Sequence, residues 1–435
     1  MDIEDIAEKA QNIIDRDAAT APSIRRVLKV VEEFLKKNRV MCYGGTAINN
    51  LLPKNKQFYD PNYDIPDYDF YSETPQIHAM RLADEFDAHK FKNIQVKPGS
   101  HLMTFKVFVE FTGVADITYL EPPIFRALWA ENIVVEKIHY VTPNFLRMSM
   151  YLEMSRPRGD VSRWSKVYKR LALLNKQYPV GCKNEKGDED RHELSVKSRD
   201  RIETLLRTRQ IILLGLHASH LHSKHASNVW ELPLDILVTP ENFDKYTDEF
   251  ASVFTEKVKL IERPAYAELL PKHVDIIDKE TGYIVVRVFE TMACHSFHEL
   301  KGGIRVASIP TLLQFFFAFV YADAHYLEGF DQNRIICICQ RLIDIAANDK
   351  ERRFDLLTPL DCLGHQESLI EMKSHTNDLK NKTIKDSDDF LRLFFQYDPS
   401  KMTKTKKQSL RKRLRTTRRN IAPANLVLDH DVSAI

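Results

Sequence analysis

Met41-Cys-Tyr-Gly-Gly-Thr-Ala-Ile-Asn-Asn50 and, after a loop, Ile65-Pro-Asp-Tyr-Asp-Phe-Tyr71 decide how this chain reads. The first piece has the form of a strand that breaks at Gly44-Gly45 into a short helix ended by Pro53. A glycine turn at a helix N-terminus lets backbone N–H groups approach a phosphate. The second piece has the form of a strand with carboxylates at alternate positions, Asp67 and Asp69. Alternate side chains of a strand share a face, so the two can hold metal ions together. Phosphate and metal handling on adjacent strands predict nucleotide chemistry. Two alternate acids also occur on solvated edge strands, and Gly-Gly also makes an ordinary tight turn. A third acid tips the reading: Asp116, on a strand predicted at Val114–Leu120. Phosphoryl transfer by two divalent ions needs about three converging carboxylates. As a residue shortly after Gly113, Asp116 is also open to a turn reading.

Around this centre the elements follow from pattern. Ser23 caps an amphipathic helix to Lys37, with Ile24, Val27, Leu28, Val31, Phe34 and Leu35 on one stripe. Thr74-Pro75 ends the acidic strand and opens a helix to about Lys90. Strands are expected at Lys92–Lys97 and Leu102–Phe111, then helices at Asn144–Met154 and Ser162–Leu174. Charged, apolar-poor residues 179–195 read as a linker.

After the linker the order begins again. A helix at Asp200–Thr208 leads to a strand at Gln210–Leu214, then Gly215 and a short helix. The strand Leu232–Val238 ends at Thr239-Pro240, as the first acidic strand ended at Thr74-Pro75. Ile138-His-Tyr-Val-Thr142 is echoed by Ile304-Arg-Val-Ala-Ser308. This predicts a duplicated unit with a period far beyond solenoid repeats. In the second copy the acids are lost: Gly44-Gly45 aligns with Leu214-Gly215, only Asp235 remains of the pair, and Asp116 aligns with the region Met292-Ala-Cys-His-Ser296.

Composition bounds the rest. With 435 residues, 43% hydrophobic and 29% charged, the chain has room for two or three cored domains. Six cysteines without a metal-type CxxC pair suit a reducing compartment and no disulfide framework. The most apolar run, Leu312–Ala322, is about half a membrane span, so no membrane is expected. The acidic N-terminus lacks a signal core.

At the motif level Gly44-Gly-Thr46, Asp67-Tyr-Asp69 and Asp116 resemble the polymerase-β-type nucleotidyltransferases. Tyr43–Asn50, Ile65–Tyr71, Asp116-Ile-Thr-Tyr-Leu-Glu-Pro122 and Tyr151–Asp160 with Arg163–Arg170 are similar to poly(A) polymerase catalytic subunits of large cytoplasmic DNA viruses. Many members begin the motif Gly-Gly-Ser; threonine here keeps the hydroxyl. The resemblance implies an α+β fold, a mixed sheet flanked by helices, followed by a degenerate nucleotidyltransferase-like domain. The implied layout is an N-terminal helical segment at 1–38, a catalytic domain at 39–178, the linker at 179–195, the degenerate domain at 196–400 and a basic disordered tail at 401–435. It also implies addition of AMP from ATP to an RNA 3′ end with two Mg²⁺ or Mn²⁺ ions. Asp67, Asp69 and Asp116 would be catalytic and metal-holding, and Gly44, Gly45 and Thr46 would hold the triphosphate. Arg163, Lys166, Lys169 and Arg170 would meet its phosphates, Lys166 foremost. Implied partners are poly(A) RNA and a homodimer mate, or a separate processivity subunit. The implied location is the host cytoplasm or the virion. Other terminal nucleotidyltransferases (CCA-adding, uridylyl- or oligoadenylate-synthesising) share the metal site, and a non-catalytic RNA scaffold is the reading from another class.

Two further features compete with bland readings. Residues 401–420 hold ten Lys/Arg and no acid, against a total net charge of +2. Lys404, Lys406, Lys407, Arg411, Lys412, Arg413 and Arg415 are therefore candidate RNA-binding residues; a disordered tail or an import signal are the alternatives. His217, His220, His222 and His225 read as a solvated polar helix before they read as a metal site. Cys337 and Cys339 read as core.

Overall fold

The computed structural model describes residues 2–183, 194–224, 230–254, 257–267, 269–322, 331–348, 350 and 352–419. The described residues form two compact units, one of residues 2–146 and 369–419, the other of residues within 147–368. This departs from the expected linear layout. The chain passes to the second unit inside a helix at 143–154 and returns to the first near its end. Of the expected linker, residues 184–193 lie outside the described residues.

In chain order, the first unit contains α1 (Ile3–Thr20), α2 (Pro22–Lys37), β1 (Met41–Cys42), α3 (Gly44–Leu51), β2 (Tyr68–Ser72), α4 (Pro75–Ala88), β3 (Gln95–Pro98), β4 (Thr104–Val109) and β5 (Thr112–Tyr119). It continues with α5 (Pro122–Glu131), β6 (Ile133–Val135) and β7 (Ile138–Tyr140) before α6 (Pro143–Met154). The second unit contains α7 (Trp164–Gln177), α8 (Val196–Thr208), β8 (Ile212–Leu214), α9 (Gly215–Leu221), β9 (Leu234–Val238), α10 (Phe243–Val253), β10 (Val258–Arg263), β11 (His273–Asp278) and β12 (Ile284–Glu290). Then come β13 (His295–Glu299), β14 (Arg305–Ala307), α11 (Ile309–Tyr321), α12 (Gln332–Ala347) and β15 (Cys362–Leu363). The chain re-enters the first unit with α13 (Leu369–Lys382), α14 (Asp388–Phe394) and α15 (Lys404–Arg419).

The first sheet has the order β3-β4-β5-β2-β1-β7-β6. Its β2–β5 and β1–β7 pairs are parallel and the others antiparallel. Strand alternation sorts its faces. Phe70 meets Phe34 of α2, Ser72 Oγ lies 2.6 Å from His78 Nδ1 of α4, and the Tyr68 hydroxyl donates to Glu32 of α2. Even-numbered β2 residues therefore face the helices, and Asp69 faces the other way. The α2 stripe works as its spacing requires: Val27, Val30, Val31, Phe34 and Leu35 are buried. Each such side chain contributes roughly 1.5–3 kcal/mol by leaving water.

The second sheet runs β10-β11-β12-β9-β8-β14-β13-β15. Without β15 it repeats the first, strand for strand, with the same parallel and antiparallel pairs. Even the irregularity recurs: the register slips between Val107 and Phe108 on β4, and between Ile276 and Ile277 on β11. The duplication read from the sequence is present.

Register fixes the equivalences residue by residue. Cys42 pairs Phe70 and Tyr140; Leu213 pairs Ile236 and Val306. Gly44, at φ +71°, thus corresponds to Gly215, at φ +69°, and not Gly45 as the sequence alignment placed it. The echo of Ile138–Thr142 in Ile304–Ser308 holds.

The tail differs most from expectation. Lys404–Arg419 is helix, with Leu414 buried against its own unit; residues 420–435 lie outside the described residues. The cysteines differ too. Cys182 is bonded to Cys337 and Cys294 to Cys362, leaving Cys42 and Cys339 free and buried. Spacing alone does not reveal partners 155 and 68 residues apart. No described helix is long and apolar enough to cross a membrane.

Candidate active site

Gly44 is the pivot of the site. Its left-handed φ suits glycine, and a Cβ there would lie 2.7 Å from Asp69 Oδ2. The turn therefore carries the N-terminus of α3 directly over the Asp69 carboxylate. Tyr43 N–H donates to the Asp69 carbonyl at 3.0 Å, which ties β1 to β2 at this point. Thr46 is buried, and its hydroxyl donates to the Asp67 carbonyl at 2.6 Å. Its observed work is to hold Asp67 in place, one residue before β2 begins.

Across the sheet Asp69 is paired in register with Asp116 on β5, and Asp116 with Lys106 on β4. Lys106 pairs in turn with Lys97 on edge strand β3. Cross-strand partners share a face. A row Asp69–Asp116–Lys106–Lys97 therefore crosses the face opposite α2 and α4, with Asp67 beside it. Asp116 is a strand residue and not a turn residue. Lys106 Nζ lies 2.5 Å from Asp116 Oδ2. Burial, with the Asp116 charge adding to it, raises the Asp67 pKa above the usual carboxylate range, against the pull of Lys106. Burial works against the Lys106 charge, but the hydrogen bond and charge of Asp116, with Asp67 and Asp69, more than offset it and raise its pKa. Burial and the Asp69 charge push the Cys42 thiol up as well.

Lys106 was missed in the sequence, where it is one basic residue in an apolar strand; its partner is visible only once β4 and β5 are registered. Among the described residues no three His, Cys, Asp or Glu side chains gather tightly enough to hold one ion. The residue types nonetheless fit hard divalent cations: Asp69 and Asp116 are cross-strand partners with Asp67 beside them, and burial first, then the Asp116 charge, raises Asp67. Here the charge opposite Asp116 is supplied by Lys106.

The proposed phosphate cations belong to the second unit. Arg163 lies 3.3 Å from Glu153, and Lys166, Lys169 and Arg170 stand on α7. Lys166 and Lys169 are exposed, three residues apart on one face.

The same row in the second unit has its charges exchanged. Asp235 pairs with Arg287, and Arg287 with Asp275. Asp235 corresponds to Asp69, Arg287 to Asp116 and Asp275 to Lys106. The counterpart of Asp116 is therefore Arg287 and not the region at Met292–Ser296. The sequence alignment slipped because β11 was not recognised, so the β12 acid position was sought too late. Arg287 Nε lies 3.3 Å from Asp275 Oδ1 and 3.8 Å from Asp235 Oδ1, with all three side chains buried. A Cβ on Gly215 would collide with Asp235 Oδ2. The turn and the second acid persist, while Pro233 stands at the Asp67 position and a guanidinium at the third carboxylate position.

The histidines after Gly215 are not one site. His217 stacks on Trp230, His220 Nε2 lies 2.9 Å from Glu231, and His222 Nε2 is 2.8 Å from the Ala307 carbonyl. His217 and His222 are buried, which corrects the expected solvated helix. Their helix packs into a second core where an exposed surface was anticipated. His225 lies outside the described residues. Cys337 and Cys339 are core as expected.

Residues 29–160 match the family model of the poly(A) polymerase catalytic subunit. A mimivirus protein described as a poly(A) polymerase catalytic subunit is 28% identical over 237 residues, covering 52% of this chain and 39% of the relative. An African swine fever virus protein of the same description is 31% identical over 178 residues, covering 40% of this chain and 37% of the relative. The matched stretches thus span about two fifths of those relatives. The crystal structure of the megavirus polyadenylate synthase superposes with a TM-score of 0.74 at 19% identity, over 95% of this chain and 89% of that one. This likeness shows the nucleotidyltransferase-type fold over nearly the whole chain. The stretch that matches the poly(A) polymerase catalytic subunit model, residues 29–160, contains the glycine turn and all three acids.

Proposed function

We propose that this protein is a template-independent poly(A) polymerase. The observation that carries the reading is the pairing of Asp69 with Asp116, with Asp67 alongside, under the positive-φ turn at Gly44. The reaction forms a bond from an RNA 3′-oxygen to the α-phosphorus of ATP. The bond from that phosphorus to the bridging oxygen breaks, the 3′-hydroxyl proton departs and pyrophosphate leaves. Asp67, Asp69 and Asp116 would hold two Mg²⁺ or Mn²⁺ ions, which would activate the 3′-hydroxyl and neutralise the leaving pyrophosphate. Thr46 keeps Asp67 placed, Gly44 keeps the α3 N-terminus close to the acids, and backbone N–H groups there suit a triphosphate. Arg163, Lys166, Lys169 and Arg170 are proposed to meet the outer phosphates, Lys166 first; its exposed place on α7 supports this.

The test is extension of a labelled oligo(A) primer with Mg²⁺ or Mn²⁺ and each nucleoside triphosphate in turn. ATP alone is expected to extend it, with about a 10³-fold or greater loss in Asp67→Asn or Asp69→Asn. Extension by UTP or CTP instead would reassign the nucleotide. No extension with any nucleotide would defeat the enzyme reading.

A further inference from the structure

The basic C-terminal helix is held in one orientation. Asp84 and Asp87 stand half-buried on α4, at the border of its buried stripe of Ala79, Met80, Leu82, Ala83 and Phe86. Lys407 Nζ lies 2.7 Å from Asp84 and 3.7 Å from Asp87, and Arg411 Nη2 lies 2.6 Å from Asp84. Leu414 is buried on the same side, and Arg413 is 2.9 Å from Asp388. Three of the seven tail cations are thus used to moor α15. Lys404, Lys412 and Arg415 share an outward stripe at intervals of eight and three residues and are exposed. Gln408, Arg411, Lys412, Arg415 and Thr416 line an open cavity of about 440 Å³ on that stripe.

Its chemistry favours a polyanion. An interfacial membrane helix needs an apolar outer face, and protein interfaces are built around an apolar centre. Here the two leucines, Leu410 and Leu414, are turned inward and the outer stripe is cationic and polar. A phosphate backbone fits it.

The stripe is remote from the acids. α15 lies on α4, and α4 covers the sheet face opposite Asp69. The distance round the β3 edge is on the order of 30 Å, from strand and helix spacings. That edge is crossed by the chain itself, where Val96 and Tyr397 exchange backbone hydrogen bonds of 2.8 and 3.1 Å. On the acid-bearing face, exposed Lys97 stands at the same edge, at the end of the Asp69–Asp116–Lys106 row.

We propose that Lys404, Lys412 and Arg415 hold the backbone of RNA well upstream of its 3′ end, and that Lys97 guides it over the β3 edge. The proposal rests on the polymerase reading for the identity of the polymer, but its test needs no catalysis. Binding of fluorescent RNA is measured without nucleotide across a salt series, with strands of about 5 and about 30 nucleotides. The combined Lys404→Gln, Lys412→Gln and Arg415→Gln variant should lose about tenfold or more affinity for the long strand at low salt. Its log–log salt slope should fall by about 2, three lost contacts at ~0.7 each. The short strand should bind as before, and Lys404→Arg with Lys412→Arg should keep the slope. Lys97→Gln should weaken the long strand in the same direction. An unchanged slope for the long strand, or an equal loss for the short one, overturns the proposal. So does competition by an acidic peptide or anionic vesicles as strong as that by unlabelled RNA. If primer extension fails while the length-dependent loss is seen, the polymerase reading falls and the RNA surface stands.

Discussion

Lys106 shows how one residue alters the meaning of a carboxylate site. Its ammonium, 2.5 Å from Asp116, supplies the positive charge that Asp116 would otherwise find in a metal ion. A tethered cation and a free one compete for the same oxygens. Lys106→Met should therefore tighten Mn²⁺ binding, read by titration of the nucleotide-free protein, and lower thermal stability in metal-free buffer. Weaker Mn²⁺ binding would show instead that Lys106 orients Asp116 for its ligand. Asp67, Asp69, Asp116 and Gly44 were legible in the sequence because strand alternation and glycine turns are local rules. Lys106 and Arg287 were not, because each acquires its role from a residue on another strand.

The element scale carries the exchange of charge between the two sheets. β9, β11 and β12 bring together Asp235, Asp275 and Arg287, all at most 1% exposed, with Arg263 Nε 3.1 Å from Asp275. Burial raises the Asp235 pKa to about 6, with the Asp275 charge adding and Arg287 opposing. Burial, then the Arg287 charge, lowers His273 to about 4, so it is neutral near pH 7. The ordinary Asp235 value is 3.8. Between that and about 6 the folded Asp235 binds more protons than the unfolded one, so its contribution to stability falls as pH rises through this window and levels off above it, opposite in sign to that of His273. Asp235→Asn should remove that fall in denaturant midpoints measured from pH 4 to 7; parallel curves for the two proteins would refute it. Arg287→Met, which leaves buried Asp235 without its cation and Asp275 with Arg263 alone, should cost about 3–5 kcal/mol. Adding Asp235→Asn should recover part of that loss, and strict additivity of the two changes would argue against their coupling. Turn, strand and proline order exposed the duplication in the sequence; the exchange stayed hidden because Arg287 and Asp275 meet only once β11 and β12 are in register.

At the scale of the whole molecule, the end of the chain completes its beginning. Composition marked residues beyond 400 as a tail, because ten cations without an acid resemble a solvated segment. What composition omits is the complementary charge: Asp84 and Asp87, more than 300 residues earlier, neutralise Lys407 and Arg411. Apolar contacts set the same course just upstream. Leu393, Phe394, Phe395 and Tyr397 are buried, Phe395 meets Phe105 of β4, and Gln76 of α4 donates to the Arg392 carbonyl at 2.8 Å. The Tyr397 hydroxyl donates to Asp84, and its backbone closes the open edge of β3. An unpaired edge and an uncovered Phe105 are liabilities for a sheet. Ending the chain at Ser368 should therefore destabilise the first unit and spare the second, where the Cys182–Cys337 and Cys294–Cys362 bonds also remain. Hydrogen exchange should show protection lost in β3, β4 and α4 but kept in β9, β11 and β12. Uniform loss of protection across both sheets would mean that the two units unfold as one, and unchanged protection in β3 and β4 would mean that the returning segment merely rests on a sheet already stable without it.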